Sequence, residues 1–358
     1  MEEKELNEDL EFDNEEDEEV SESTPEELSK IVSYNIANTV EVLKFKIDNG
    51  EIDLRPEFQR DFVWDMNRAS LFIDSLLTNL PIPSIFLGKS KEDETYKVID
   101  GQQRLKSVYF YMEGKFVTKG QEQVFGLKKL EGREWNGKTY HELDEKYKRR
   151  IRNAVLNTTV IEDIDSNPKV VHDIFHRLNT GGMSLTDQEV RNCVYNGNLN
   201  NQLIKLNLNK DWRELLGKTY ADRRLRDVEM ILRFFALFES VNSYEPSMRE
   251  FLSNYQDKNR KKDLDSTLFE TVVERLNKEI GASAFRLTRT VNKSVCDSVM
   301  VSLAQIIKEG KSFSDLKSKH EKLVRDREFE KYVVSGTSTE TNVKNRIILA
   351  RNYFLGEK

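Results

Sequence analysis

The apolar pattern of this 358-residue chain changes once, near residue 198. Before that point short alternations of strand type recur between helical stretches, and after it long helical periods remain with little strand signal. The length is also large for one core. The two halves therefore read as an α+β front followed by an all-helical back. The clearest helix runs from Asp222 to Glu239, where Leu225, Val228, Ile231, Leu232, Phe235 and Leu237 crowd a broad apolar face. Further helices fit Ser266 to Ile280, Asn292 to Lys308 and Asn342 to Phe354.

In the front half, Val40 to Phe45 reads as a helix, and Asn49-Gly50 turns the chain into a short strand, Glu51 to Leu54. Asp65 stands as a cap for a helix from Asn67 to Asn79, whose Leu71, Phe72, Leu76 and Leu80 are expected on the core. Pro81-Ile82-Pro83 stops that helix. Two strands follow, Ser84 to Gly88 and Tyr96 to Asp100, then a helix from Gln102 to Glu113 closed by Gly114. A strand at Asn157 to Glu162 and a helix at Pro168 to Leu178 complete the pattern.

Charge is distributed unevenly. Residues 1–27 hold fifteen Asp and Glu against one Lys, and their few apolar residues cannot offset the entropy of ordering. They read as a disordered acidic tail, which serves solubility or shields a basic surface. The remainder is net positive although the whole chain carries a formal charge of -7, a balance compatible with a polyanion such as DNA and equally with a mixed solvated surface. No run approaches the ~18 apolar residues of a membrane span. The expectation is a cytoplasmic protein. Cys193 and Cys296 form no metal or disulfide pattern, and the His172 and His176 pair, at helical spacing, has no evident third ligand.

The residues suited to chemistry lie in the front half. A strand gives way to a helix at Asp100-Gly101-Gln102-Gln103-Arg104, and a helix N-terminus offers unpaired N–H groups and the positive end of the macrodipole to a phosphate. Two other places offer cations or backbone donors. Gln59 and Arg60 follow an extended segment near Phe58, Phe62 and Trp64, and Asn179 leads into Gly181 and Gly182 at a helix end. Each also has a plain reading: Gln59 and Arg60 as surface residues, Asp100 as a helix cap, Asn179 to Gly182 as a C-cap. A Walker A pattern and a Gly-x-Gly-x-x-Gly fingerprint after a strand are both absent, which argues against an orthodox P-loop or dinucleotide enzyme.

Five motifs then occur in one order: Pro56-Glu57-Phe58-Gln59-Arg60, Pro81-Ile82-Pro83, Val98 to Arg104, Phe175 to Gly182, and Leu185-Thr186-Asp187-Gln188-Glu189-Val190-Arg191. In this the chain resembles the N-terminal domain family of GmrSD-type restriction enzymes, related to the ParB and sulfiredoxin fold. The resemblance spans about residues 30 to 200. The segments Asp222 to Asp227 and Thr341 to Ile347 look like that family's second lobe. The implied division is an acidic tail over 1–27, a ParB-like nucleotide-binding domain over 28–197 and a helical domain over 198–358.

The resemblance implies binding and hydrolysis of a nucleoside triphosphate, of unassigned base, with Mg²⁺, coupled to DNA cleavage in defence against phage. By position Arg104 would contact phosphate, and Asp100 and Gln103 would orient water or a metal-bound water. Gln59, Arg60, Gly101, Gln102, Gly181 and Gly182 would line the nucleotide, with Asn179 completing the Mg²⁺ site. Members that cut DNA alone carry a His-Asn-His nuclease domain. Only His320 follows residue 176 here, so the expected role is a nucleotide-dependent switch for a nuclease subunit supplied elsewhere. The alternatives are a non-catalytic ParB-like DNA-binding adaptor and a self-contained endonuclease. Arg223, Arg224 and Arg226 are the densest candidate DNA contacts, against a reading as helix-surface pairs with Asp222, Asp227 and Glu229 worth ~0.2 to 0.5 kcal/mol each. Assembly into a homo-oligomer is compatible with the reading.

Overall fold

The computed structural model describes residues 32–54, 64–91, 94–118, 121–164, 166, 174, 186–195, 197–222 and 224–358. The acidic tail, Gln59, Arg60, the helix expected over 168–178, His172, His176, Asn179, Gly181, Gly182 and Arg223 lie outside them. The chain divides into two compact units between Leu185 and Thr186.

The first unit is built on a five-stranded sheet. Its strands are β1 (Ser33–Thr39), β2 (Ile52–Asp53), β3 (Ile85–Lys89), β4 (Tyr96–Asp100) and β7 (Val155–Ile161), while β5 (Lys115–Thr118) and β6 (Gln121–Val124) form a separate hairpin. The order is β1-β7-β3-β4-β2, with β1/β7 and β3/β4 antiparallel and β7/β3 and β4/β2 parallel. Helices α1 (Val40–Asp48), α2 (Met66–Leu77), α3 (Gln102–Glu113) and α4 (Glu145–Asn153) accompany it. Ile85, Leu87, Val98 and Leu156 from the sheet share one core with Phe72, Ile73, Leu76 and Leu77 of α2 and Leu105, Val108 and Met112 of α3.

Local signals explain most boundaries. Asp65 accepts the backbone N–H of Arg68 at 2.7 Å and starts α2, and Gly114 ends α3 in the left-handed region at φ 73°. The buried stripe of α2 is rotated from the expected one. Phe72 and Leu76 are buried, but Ala69, Ile73 and Leu77 complete the face, and Leu71 and Leu80 are exposed. β1 and α4 are among the elements with no counterpart in the sequence reading. β1 carries Ser, Asn and Thr along an edge and is held by residue-by-residue pairing with β7, from Ser33 opposite Ile161 to Thr39 opposite Val155. α4 is dominated by charge, with only Tyr147 and Ile151 buried.

The second unit is helical among its described residues: α5 (Asp187–Val194), α6 (Asn198–Leu206), α7 (Lys210–Leu216), α8 (Arg226–Ser240), α9 (Met248–Lys258), α10 (Ser266–Glu279), α11 (Lys293–Lys308), α12 (Leu316–Leu323), α13 (Arg327–Val334) and α14 (Glu340–Leu355), with two short 3₁₀ turns. α8 begins at Arg226, four residues after the expected Asp222, because Leu225 takes φ 56° at its N-cap. No described helix is long and apolar enough to cross a membrane.

Charge is buried inside this apolar bundle. Arg233 grips Asp297 through Nε and Nη2, the closest contact being 2.7 Å, and Arg346 Nη2 donates to the same carboxylate at 2.8 Å. Glu229 is likewise held between Arg191, at 2.5 Å, and Lys293, at 3.0 Å. Arg213 donates to Asp227 at 2.6 Å. The segments Thr186 to Arg191, Asp222 to Asp227 and Thr341 to Ile347 are thus anchors of the helical bundle. Thr186 and Glu189 also form a reciprocal capping box at the start of α5. α5 precedes the change of character near residue 198, yet it packs with the helices that follow, through Arg191 to α8 and through Asp187 to Arg249 of α9 at 2.8 Å.

Burial alone would raise the Glu229 pKa, but the Lys293 ammonium and the Arg191 and Arg233 guanidinium groups outweigh it and lower the carboxyl to about 2. The folded state therefore favours the ionised form. Its stabilising contribution is complete above the unfolded value near 4.5 and disappears as pH falls toward 2. Glu229→Gln should cost about 3–5 kcal/mol at pH 7, because two buried cations lose their partner. Urea unfolding as a function of pH should show the variant losing less stability between pH 4.5 and 2 than the parent protein. Parallel curves would assign acid sensitivity to other groups.

Candidate functional site

The Asp100 to Arg104 segment occupies the junction of β4 and α3. Gly101 is the N-cap of α3, at φ 97° and ψ 8°, and no side chain caps the helix there. The left-handed backbone reverses the chain within one residue. Gly101 is required for a second reason: a Cβ at this position would lie 2.9 Å from Cγ1 of Ile85 on the neighbouring strand. The carbonyl of Gly101 accepts the first helical bond, from Leu105 N–H at 2.9 Å. A tight backbone turn that opens directly into a helix N-terminus, the positive end of the helix dipole, is the arrangement that accommodates a phosphate.

Asp100 is not the helix cap that its position allows. Its Oδ2 accepts from Arg104 Nη2 at 2.6 Å, across one helical turn. Arg104 Nη1 donates to the carbonyl of Pro83 at 2.6 Å. The guanidinium is therefore fixed in direction by a carboxylate on its own element and by the Pro81-Ile82-Pro83 bend ahead of β3. Its side chain is 12% exposed, and that of Asp100 is 40% exposed. The Asp100 carboxylate reaches solvent at the mouth of the turn, and Arg104 lies beneath it.

Gln103 Oε1 accepts the backbone N–H of Trp64 at 3.2 Å, and Ser107 Oγ donates to the Gln103 carbonyl at 2.7 Å. Trp64 packs edge-on to Phe72 of α2 and under the Arg68 guanidinium. Gln103 thus ties the start of α3 to the chain just ahead of α2, immediately after the segment that holds Gln59 and Arg60. Gln102 is partly exposed on the first turn of α3. The structure brings Asp100, Gly101, Gln102, Gln103 and Arg104 into one locus. Trp64 and the Pro81-Ile82-Pro83 motif were both legible as neighbours of the candidate residues, but their bonds were not: the Trp64 amide to Gln103 and the Pro83 carbonyl to Arg104.

No described residues form a group of three or more His, Cys, Asp or Glu side chains able to hold a metal. His320 is buried, with Nε2 2.9 Å from the Ala284 carbonyl, which fixes Nε2–H as the donor. Burial lowers its pKa, in keeping with a neutral structural imidazole. Cys296 is a buried free thiol whose pKa burial pushes up.

Arg224 and Arg226 are each engaged inside the helical unit. Arg226 Nε donates to Asp222 Oδ2 at 2.6 Å, and Arg224 Nη2 lies 3.8 Å from Glu189 Oε2. Asp222 and Glu189 are buried, and Asp227 and Glu229 pair with other cations. Arg226 and Asp222 form the i, i+4 pair that the spacing offers, with buried carboxylate partners and both arginine side chains only partly exposed.

Gly101→Ala should destabilise the first unit by about 1–3 kcal/mol, through the positive φ and the contact with Ile85. Chemical denaturation followed by Trp64 and Trp135 fluorescence measures it. A change under ~0.5 kcal/mol would mean that the turn relaxes freely.

Residues 40–196 match the GmrSD restriction endonuclease N-terminal domain family. No curated protein and no solved structure matches the chain. The matched span runs from α1 through β7 to α5 and contains the Gly101 turn and four of the five sheet strands, with edge strand β1 ahead of it. The agreement of the matched span with the motif-bearing region establishes that this segment of the chain belongs to the GmrSD restriction endonuclease N-terminal domain family.

Proposed function

We propose that the chain is a component of a DNA restriction or phage-defence system that binds and hydrolyses a nucleoside triphosphate at the Gly101 turn, acting as a switch for a nuclease supplied elsewhere. The observation that carries this reading is the junction itself. A left-handed glycine at a strand end opens a helix, and one turn later an arginine is aimed by Asp100 and Pro83. Family membership supports the restriction setting and an interaction with DNA. The ParB-like character of the domain belongs to the same reading.

Triphosphate chemistry needs charge stabilisation and an oriented water more than covalent help. In this proposal the α3 N-terminus takes a phosphate through backbone N–H groups, and Arg104 neutralises charge as the terminal phosphate departs. Gln103 positions the attacking water, and Gln59 and Arg60 line the phosphate end. Mg²⁺ would be held by the Asn179 side-chain oxygen, with Asp100 orienting a water bound to it, since the ion retains several waters and needs few protein oxygens. When bound it would offset negative charge on the phosphates. Asp100 has a second task, since its bond to Nη2 holds the guanidinium in a fixed direction and lowers the cost of orienting it during reaction.

Phosphate release should be measured with each of the four NTPs, with and without Mg²⁺, for the parent protein, Arg104→Ala and Arg104→Lys. Turnover should require Mg²⁺ and fall by about 10²-fold or more in both variants, because Lys cannot satisfy Asp100, Pro83 and phosphate at once. Circular dichroism should show both variants folded. Nucleotide binding without turnover in the parent protein would replace this reading with that of a DNA-binding adaptor.

A further inference from the structure

The first unit carries a second charged feature, remote in sequence from the Gly101 turn. Helix α4 reads Glu-Lys-Tyr-Lys-Arg-Arg-Ile-Arg-Asn, five cations and one carboxylate in nine residues. Tyr147 and Ile151 turn inward, leaving Lys146, Arg149, Arg150 and Asn153 on the exposed side with Arg152 at its margin. Lys146 and Arg149, Lys146 and Arg150, and Arg149 and Arg152 stand three or four residues apart. Like charges at that spacing destabilise a helix by tenths of a kcal/mol per pair. Some other helical cations in this chain pair with acids at the same spacing, as Lys44 with Asp48, Arg275 with Glu279 and Lys344 with Glu340.

The nearby carboxylates offset only the ends of this ridge. Lys146 lies 3.4 Å from Glu134, and Arg152 lies 2.8 Å from Glu145 and 3.9 Å from Glu41. Arg149, at the centre, makes no hydrogen bond or ion pair among the described residues. The loop leading toward α4 extends the same character. Residues 128–153 hold nine Lys and Arg against five Asp and Glu, in a chain whose overall charge is -7.

This loop is fastened along α2. Lys128 N–H donates to Ser70 Oγ at 3.0 Å, Arg133 pairs with Asp74 at 3.2 Å, and Arg150 donates to the Leu77 carbonyl at 3.3 Å. Trp135 packs edge-on to Tyr147 of α4 with ring centroids 5.0 Å apart. Ser70, Asp74 and Leu77 mark successive turns of α2, so their attached basic residues spread over about 10 Å. That is the length of about three phosphates along one DNA strand. Lys128 and Lys129 are exposed at one end of the spread, and α4 lies at the other.

We infer that the outer face of α4, together with Lys128 and Lys129, is a docking track for the phosphate backbone of duplex DNA. The inference rests on the DNA-directed part of the proposed function, and it places a contact surface on the first unit, in addition to the candidate arginines near residue 224. Mixed-charge helices suit a merely solvated surface, whereas a repulsive cationic ridge anchored at three points suits a polyanion that relieves the repulsion on binding. Because the contacts are to phosphate, binding is independent of sequence and sensitive to salt.

The test uses the full chain and a fluorescent duplex, with affinity measured by anisotropy from low to physiological salt, without nucleotide. Each phosphate contact removed should lower the slope of log affinity against log salt by about 0.9. The triple variant Lys128→Ala, Lys129→Ala, Arg149→Ala should lose about two units or more of slope and bind about tenfold or more weakly at low salt. Arg149→Lys should retain the parent slope. Thermal midpoint and phosphate release should match the parent protein. A triple variant with parental slope and affinity overturns the track, as does a parent protein that binds heparin or acidic peptide but not duplex DNA. Absence of phosphate release in the parent, with the slope change present, rejects the nucleotide reading and leaves the track standing.

Discussion

The turn at Gly101 admits no side chain, and the first unit is arranged around that fact. Strand β4 must end and α3 must begin within one residue, beside an isoleucine of the neighbouring strand whose Cγ1 would sit 2.9 Å from a Cβ. Glycine alone meets both the positive φ and the space. Once the reversal is made, Arg104 falls one helical turn from Asp100, and its other nitrogen reaches Pro83, which precedes β3. One backbone constraint thus fixes the register of the β3 and β4 ends, the direction of α3 and the orientation of the arginine. The site is a by-product of how the sheet is closed.

The helical unit solves a different problem. Its interior holds Glu229 and Asp297, each between two cations drawn from α5, α8, α11 and α14, and Asp227 of α8 against Arg213 of α7. Such groups add little net stability compared with well-packed apolar side chains, and they become costly when one partner is lost. Their geometry is nevertheless directional, because the guanidinium fork meets a carboxylate in only a few ways. Apolar packing holds these helices together, and the ion pairs select their register. That division of labour accounts for the motif residues that belong to the helical unit.

Much of this was legible from sequence, and the misses have physical causes. The β4 to α3 junction, the Asp65 cap and the Gly114 stop rest on local rules that tertiary structure did not override. β1 left only a faint apolar trace, Tyr34 and Ile36, because an edge strand such as Ser33 to Thr39 is held by backbone bonds to β7, and Thr159 reaches Asn35 at 2.8 Å with polar atoms. α4 escaped because charge hides its two inward residues. Leu71 was placed on the core by a helical count that a rotation of one position defeats. Within the site, Asp100 and Arg104 could be read as a pair from their spacing. The Pro83 carbonyl and the Trp64 amide could not, since folding alone brings residues 21 and 39 positions apart into contact.

The helix Asp187–Val194 has a practical bearing on dissecting the molecule. The family span ends at 196, whereas the compact units divide between Leu185 and Thr186. An expression fragment trimmed to the family boundary would carry Arg191 away with the sheet and strip Glu229 of one of its cations, while Asp187 would leave Arg249 behind. Both products would expose surfaces that are interior in the whole chain. Insolubility of such fragments would then report the position of the cut and say nothing about whether the sheet-bearing unit can fold. A cut ahead of Thr186, which keeps the capping box and its helix with the bundle, respects the covalent order of the interactions.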